Sequence, residues 1–242
     1  MKNHIKIITL IFGLLICVST HAQEEFAYAA YLSSSMTLWE KAVSNFQSKY
    51  DNSKDNESLF RLAVAQYGLL SATMKDKDEK VFDRHVDEAM ENLETCENKG
   101  FKVAESQAIL SAIYGLKIAY TPWKGMFWGP KSSNLIESAM KSDPKSALVQ
   151  KLYGNNKLFT PSNWGGDVKQ AIASYEKAIQ LYQEDNDTAS NWMYIDTFAW
   201  LGQAYEKESK IKEAITTYEE GLEVEKDFHW IKSALLPAAK SK

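Results

Sequence analysis

The chain has 242 residues and a formal net charge of −4, with 28 basic and 32 acidic side chains. With 45% hydrophobic residues it is too apolar for a disordered chain. No basic stripe of the kind that binds nucleic acid appears in it. Only five prolines and eleven glycines are present, which favours long helices. These features predict a folded, helical protein that does not bind nucleic acid.

The first residues have the layout of a secretory signal peptide. Lys2 and Lys6 precede an apolar segment, residues 7–18, that is too short to cross a bilayer comfortably. Small residues then surround a cleavage site after Ala22. The alternative, an uncleaved anchor helix, fits the short apolar segment less well. We therefore expect a signal peptide over residues 1–22 and a mature domain over residues 23–242.

A cysteine at position 17 raises the alternative of a lipoprotein. A bacterial lipobox has a small residue immediately before the cysteine, whereas this chain has Ile16. We therefore expect no lipid and no other stable membrane anchor. The Ala-Gln junction resembles signal peptides of Bacteroidetes-like Gram-negative bacteria. That resemblance implies a periplasmic or secreted protein.

The mature chain shows apolar residues at helical spacing and no strict alternation typical of strands. We predict an all-α fold of paired helices. The predicted helices are Phe26–Tyr50, Glu57–Met74, Lys80–Asn98, Val103–Tyr120, Ser132–Lys141, Pro144–Leu158, Val168–Gln183, Trp192–Glu208, Ile211–Glu223 and Lys226–Ala238.

Local capping signals support several of these boundaries. Asp143 before Pro144 predicts a helix start with proline in the first turn, where its missing N–H costs nothing. Asp167 followed three residues later by Gln170 predicts a capping box. Asp55 predicts a similar start.

Two breaks between paired helices are rich in aromatic residues, glycine and proline, namely residues 121–130 and 159–166. One interpretation is that their rings fold back and fill the core, because exposed aromatic rings are costly. The other is that they line a cleft for a peptide or a small apolar ligand. The residues concerned are Trp123, Phe127, Trp128, Phe159 and Trp164.

A repeat is clearest near the C-terminus. The residues that carry it are Phe198, Leu201, Gly202 and Tyr205, followed by Ala214 and Tyr218. This spacing resembles the tetratricopeptide-repeat family, whose unit of about 34 residues has W-x2-L-G-x2-Y and then A-x3-F. A second unit is indicated by Ala171 and Tyr175. The resemblance implies antiparallel helix pairs stacked as an α/α array.

The same resemblance implies a function. The inner faces of the repeat helices would bind a protein or peptide, and Asp196, Ala199 and Gln203 would face the concave surface of the last unit. The segment Asn163–Asp167 also resembles periplasmic helical-repeat proteins associated with tripartite ATP-independent transporters. The alternative function is therefore a ligand-binding accessory component of a periplasmic transport system.

We find no catalytic or metal-binding motif. The mature chain has two histidines, His85 and His229, which are far apart, and it lacks cysteine and histidine at ligand spacing. It also has no nucleophile elbow and no phosphate loop. We expect a binding scaffold without cofactor, metal or enzymatic activity.

The first prediction concerns the N-terminus. The mature protein should begin at Gln23 and carry no lipid, because a small-residue cleavage site ends at Ala22 while Ile16 precedes Cys17. Intact-mass analysis of the protein recovered from its own cell envelope measures this directly. A diacylated N-terminus at Cys17 would show that the prediction is wrong.

Overall fold

The computed structural model describes residues 24–242, and all regular secondary structure in that range is helical. This confirms the predicted all-α fold, whereas the predicted signal peptide lies outside the described residues. The α-helices are residues 24–33 (α1), Met36–Ser53 (α2), Asn56–Ala72 (α3), Glu79–Asn98 (α4), Val103–Tyr120 (α5), Gly125–Ser142 (α6), Ala147–Phe159 (α7), Val168–Glu184 (α8), Trp192–Lys207 (α9), Ile211–Val224 (α10) and Leu236–Lys240 (α11).

The helices from α3 to α10 form two layers. Helix α5 packs on α3 and α7, and α7 packs on α9, so the odd-numbered helices make one layer. Each even-numbered helix packs against the odd-numbered helix that precedes it in the chain. Successive helices are antiparallel neighbours joined by short turns, which is the architecture of stacked α/α repeats.

Close crossings between paired helices depend on glycine. A Cβ atom on Gly202 of α9 would lie 2.1 Å from the Tyr218 ring of α10, and one on Gly154 of α7 would lie 2.7 Å from Tyr175 of α8. The two tyrosines are fully buried. The same glycine-against-tyrosine crossing thus occurs in two successive pairs, which explains the repeat in the sequence.

The N-terminal region differs from the prediction of one helix over Phe26–Tyr50. The chain breaks at Ser34, whose φ is +51°, and Ser35 then caps α2 by accepting a hydrogen bond from the backbone N–H of Leu38. Serine is a favoured N-cap residue, so a new helix begins after Ser35 although the apolar spacing continues across the break. The apolar spacing alone therefore did not predict the break.

The predicted start of α7 at Pro144 is wrong. Asp143 does not cap α7, because Ser146 accepts from the backbone N–H of Val149 and begins the helix at Ala147. Pro144 lies in the preceding turn, and its carbonyl accepts from the Gln150 side chain. The capping signals at Asp55 and Asp167 are confirmed. Gln170, however, donates to the Asp167 carboxylate rather than pairing with the backbone.

The C-terminal helical segment contains a π-helical turn, Ile231–Leu235, before α11. Pro237 lies in the first turn of α11 and has no backbone N–H. The N–H of Leu236 bonds to the carbonyl of Ile231, five residues earlier. A π-helical turn is wider than an α-helical turn, so it accommodates Pro237, whose ring would crowd the carbonyl four residues earlier in an α-helix.

Helix α1 joins the two ends of the array. The Tyr28 hydroxyl donates to Glu225 at 2.9 Å, and the Tyr31 hydroxyl donates to Asp196 of α9 at 2.5 Å. On the other side, Glu24 pairs with Arg61 of α3. Because these contacts link the first described residues to the last repeat, the array is closed rather than an open superhelix.

The second prediction tests the helix crossing. Gly202→Leu should lower the free energy of unfolding by about 1–3 kcal/mol or more, since its side chain must displace the Tyr218 ring. Urea unfolding followed by circular dichroism measures the change. Gly115→Leu is the matched control, because Gly115 is an exposed residue of α5 with open space around its Cβ position. Equal stability of both variants would contradict the assigned crossing.

Candidate functional site

The turns that follow α3, α5, α7 and α9 lie at one edge of the array, because successive helices are antiparallel. Two contacts confirm the alignment. The Tyr120 hydroxyl, at the end of α5, donates to the carbonyl of Thr73, just after α3. The Lys207 ammonium, at the end of α9, donates to the carbonyl of Leu158 in α7. We call this edge, formed by residues 73–78, 121–131, 159–167 and 208–210, the aromatic edge.

Exposed large apolar side chains are concentrated at this edge. In the described part of the chain there are six, and five belong to the segments 121–131 and 159–167, which we call the α6 turn and the α8 turn. They are Trp123, Met126, Phe127, Phe159 and Trp164, with exposed fractions between 56% and 69%. Val224, at the end of α10, is the sixth. Rings exposed to this extent do not fill the core.

The α6 turn is more helical than predicted. A 3₁₀ turn, Pro122–Lys124, leads directly into α6, so the helix begins at Gly125 rather than Ser132. Pro130 lies inside the helix, where it removes one backbone hydrogen bond without ending the helix. The first turn of α6 therefore holds Met126 and Phe127 outward, while Trp128 is half-buried.

The α8 turn is compact and depends on its glycines. Gly165 has a φ of +96°, and a Cβ atom on Gly166 would lie 1.7 Å from the carbonyl oxygen of Thr160. Phe159 packs edge-on against Trp200 of α9 at 4.9 Å, and Trp200 packs against Trp230 at 5.1 Å. This row of rings supports the exposed face of Phe159.

An open cleft of about 480 Å³ lies against the α8 turn. Its wall carries two ammonium groups, those of Lys157 and Lys207. The lining residues are Lys157, Leu158, Phe159, Thr160, Pro161, Ser162, Gly166, Asp167, Val168 and Lys207. The cleft thus combines an apolar surface with two ammonium groups and with the Asp167 carboxylate, which caps α8.

The two aromatic turns form separate surfaces. Among the described residues no ring-to-ring contact joins the α6 turn to the α8 turn, since Phe159 pairs with Trp200 while Trp128 contacts the ammonium groups of Lys117 and Lys124. Both turns lie at the same edge, as the order of the helices requires, and no residue of the α6 turn is among those that line the cleft at the α8 turn.

A buried ion pair lies at the junction of α1, α7 and α9. The Lys151 ammonium is 2.6 Å from Asp196, and the Lys151 side chain is only 1% exposed. Tyr31 donates to the other carboxylate oxygen of Asp196. Burial lowers the pKa of Lys151, but the charge of Asp196, the nearby Tyr67 and the hydrogen bond to Asp196 together outweigh burial and raise the pKa above its ordinary value. Lys151 therefore stays charged inside the protein.

The three residues that the family resemblance predicted on the concave face, Asp196, Ala199 and Gln203, do not form an open binding surface. Asp196 is buried beneath Tyr31, and Ala199 is fully buried. The side chain of Gln203 is half-buried and donates to the carbonyl of Ala199 in its own helix. A ligand could reach Asp196 only if α1 moved away.

Sequence reasoning did not identify Lys151 or Tyr31. Lys151 lies in an ordinary amphipathic helix, and a lysine there is normally solvated. Tyr31 lies 165 residues from Asp196, so no local pattern links them. In the described range, no group of three or more His, Cys, Asp and Glu side chains is arranged to hold a metal ion.

The third prediction concerns this ion pair. Lys151→Met should lower the free energy of unfolding by about 3–5 kcal/mol, because it leaves the Asp196 carboxylate buried without its partner cation. Lys157→Met is the control, since its partner Glu137 is 54% exposed and such pairs contribute at most about 1 kcal/mol. Urea titration of both variants measures the difference. A Lys151→Met variant as stable as Lys157→Met would contradict the burial of the pair.

The sequence was compared with protein families. A model described as "Tetratricopeptide repeat" matches residues 165–185 and 195–228. These are α8, together with α9, α10 and the turn after them, and they cover less than a quarter of the chain. No curated protein matches the sequence.

Solved structures extend the similarity over most of the chain. A thermophilic tetratricopeptide-repeat protein from Thermus thermophilus has a TM-score of 0.59 at 16% identity, over 91% of this chain and 100% of that one. The HusA haemophore from Porphyromonas gingivalis has a TM-score of 0.61 at 18% identity, over 76% and 92% respectively. The fold is a tetratricopeptide-like helical array, and the matched residues support the tetratricopeptide family for its C-terminal repeats.

Proposed function

We propose that this chain is an exported helical-repeat scaffold that binds a segment of a partner protein in the cleft beside Phe159 and Trp164. One observation carries the proposal: an open cleft with exposed rings lies where the end of α7 meets α8 and α9, next to the helices α8 to α10 that match the repeat family. Exposed apolar surface of this kind marks an interaction site. Catalysis has no place in this proposal.

Export is supported by the sequence of residues 1–22, which has the charge, apolar length and cleavage site of a signal peptide. Among the described residues, no helix is both long and apolar enough to cross a membrane. The periplasm or the cell exterior is the compartment proposed for the mature protein.

The chemistry of the cleft suggests what the partner segment presents. Phe159 and Trp164 offer ring faces, on which an apolar side chain loses water-exposed area. Lys207 uses one donor on the Leu158 carbonyl, and Lys157 uses two, one on Glu137 and one on the carbonyl of Gly165. An ammonium group has three donors, so both can also bind a carboxylate. The preferred segment therefore combines an apolar or aromatic side chain with an acidic residue.

A small apolar ligand is the second candidate, as in an accessory component of a transport system. A volume of about 480 Å³ is within the range of small-molecule sites. One structural neighbour is named a haemophore, so haem is the natural probe. No His, Met, Cys or Tyr is among the described residues that line the cleft. Haem would be held there by ring stacking and lysine–carboxylate contacts rather than by an iron ligand.

The fourth prediction tests the cleft. A photo-crosslinking amino acid at position 164 should give a discrete adduct with a partner protein in the native envelope, and the same group at Val224 should not. Trp164→Ala should weaken capture of that partner while changing stability by less than about 1 kcal/mol, because its ring is mostly exposed. Phe159→Ala should also weaken capture, with a further stability loss of about 0.5–1.5 kcal/mol from the lost contact with Trp200.

Mass spectrometry of the captured material separates the two candidates. A crosslinked peptide at position 164 supports the scaffold. A small molecule that co-purifies, or haem binding that Trp164→Ala removes, would replace the scaffold by the ligand-binding alternative. Equal crosslinking at positions 164 and 224 would remove the cleft from consideration.

A further inference from the structure

The α6 turn carries an exposed apolar surface that the cleft does not use. Trp123, Met126 and Phe127 are 69%, 64% and 61% exposed, the three highest values among the large apolar residues described. They follow one another around the 3₁₀ turn and the first turn of α6. None of them lines the cleft.

The stretch of chain around this surface carries only positive charge. No Asp or Glu occurs from Ser106 to Ile136, whereas Lys117, Lys124 and Lys131 lie in that stretch. The whole chain has a net charge of −4, so a stretch of 31 residues with three lysines and no acid is a local reversal of sign. Burial, and then the charges of Asp78, Glu79 and Asp83, raise the pKa of Tyr120, so acids at the start of α4 border this surface at the end of α5. The chain of the α6 turn itself offers only positive charge to an anionic partner.

The lysines and the rings occupy the same patch. The Lys124 ammonium lies 5.2 Å from the centre of the Trp123 ring and 4.9 Å from that of Trp128. The Lys117 ammonium lies 5.1 Å from the centre of the Trp128 ring. Lys124 is thus held beside the exposed Trp123 ring, whereas Lys117 and Lys131 lie beside the half-buried rings of Trp128 and Tyr114.

The beginning of α6 adds to this positive field. No side chain caps its first turn, and the N–H of Gly125 is bonded to the carbonyl of Pro122 in the preceding 3₁₀ turn, so it is the dipole of α6 that adds to the charge of Lys124. Phosphate groups are favoured at such a position. The charge of the lysines, and not the helix end alone, makes the site basic.

We propose that the α6 turn docks the protein on the surface of an anionic lipid bilayer. Trp123, Met126 and Phe127 enter the boundary between headgroups and acyl chains, where tryptophan and phenylalanine are favoured. Lys117, Lys124 and Lys131 remain at the level of the lipid phosphates, where an anionic surface attracts basic side chains. Attachment is peripheral and reversible.

A bilayer fits this surface better than a protein segment does. The side chains project from the beginning of a helix, and the cleft that could receive a peptide lies at the other turn. Aromatic rings that project outward among lysines match a soft anionic interface, which closes around them without a complementary shape. The two turns would then hold a partner protein and a membrane at the same edge.

Sedimentation with vesicles tests this proposal on residues 23–242. With 30 mol% phosphatidylglycerol in phosphatidylcholine (roughly the anionic fraction that attracts basic segments) at low salt, the protein should co-sediment, and with pure phosphatidylcholine it should stay mostly in solution. The double variant Trp123→Ala/Phe127→Ala should reduce partition into anionic vesicles by about tenfold or more, because it removes inserted apolar area. Lys124→Glu/Lys131→Glu should reduce it similarly, and added salt should weaken binding of the unchanged protein.

The control is the other aromatic turn. Phe159→Ala/Trp164→Ala removes the same number of exposed rings and should leave vesicle binding unchanged, although it weakens partner capture. Thermal melts verify that each variant is folded. Absence of binding to anionic vesicles, or equal loss in both double variants, overturns the proposal. The proposal is also overturned if the α6 turn captures a protein and this chain shows no affinity for lipid vesicles. None of these results bears on the cleft, which is tested separately.

Discussion

The contact on which the architecture depends is the seating of a buried tyrosine ring on a glycine of the facing helix. Where Gly154 and Gly202 meet Tyr175 and Tyr218, the two helices of a pair approach closely enough to bury most of the ring. A single pair still leaves an apolar face uncovered, so successive pairs stack in register. That register brings every other turn to the same edge. The positions of both aromatic turns follow from it.

The sequence predicted the parts of the fold that depend on local spacing. Helical periodicity, the caps at Asp55 and Asp167 and the repeat around Gly202 are all short-range patterns, and the structure confirms them. The break at Ser34 was missed because serine is compatible with both a helix and a turn. The early start of α6 was missed because proline is compatible with both a turn and the first turn of a helix. The ion pair of Lys151 and Asp196 was missed because its members are distant in sequence.

The candidate site shows the same division. Composition alone predicted four of the candidate binding residues, because large rings beside glycine and proline are unusual in a turn. These are Trp123, Phe127, Phe159 and Trp164. Whether those rings are exposed depends on what packs over them, and that is a tertiary property. The cleft arises where α7 ends near Lys207 of α9, 49 residues later in the chain. No pattern confined to one helix pair contains that information.

Helix α1 has a consequence for the order in which the molecule assembles. Its hydroxyl contacts reach 165 and 197 residues along the chain, so they need the last repeat in place before they can form. Contacts between residues so far apart in the chain form late, because closing a long loop first costs conformational entropy. A chain that emerges from its N-terminal end would present α1 first; the Glu24–Arg61 pair can then form early, whereas the two hydroxyl contacts form last. Until then Asp196, Trp192 and Phe228 lack their contacts with Tyr31, so the last repeat has to fold before α1 covers its inner face.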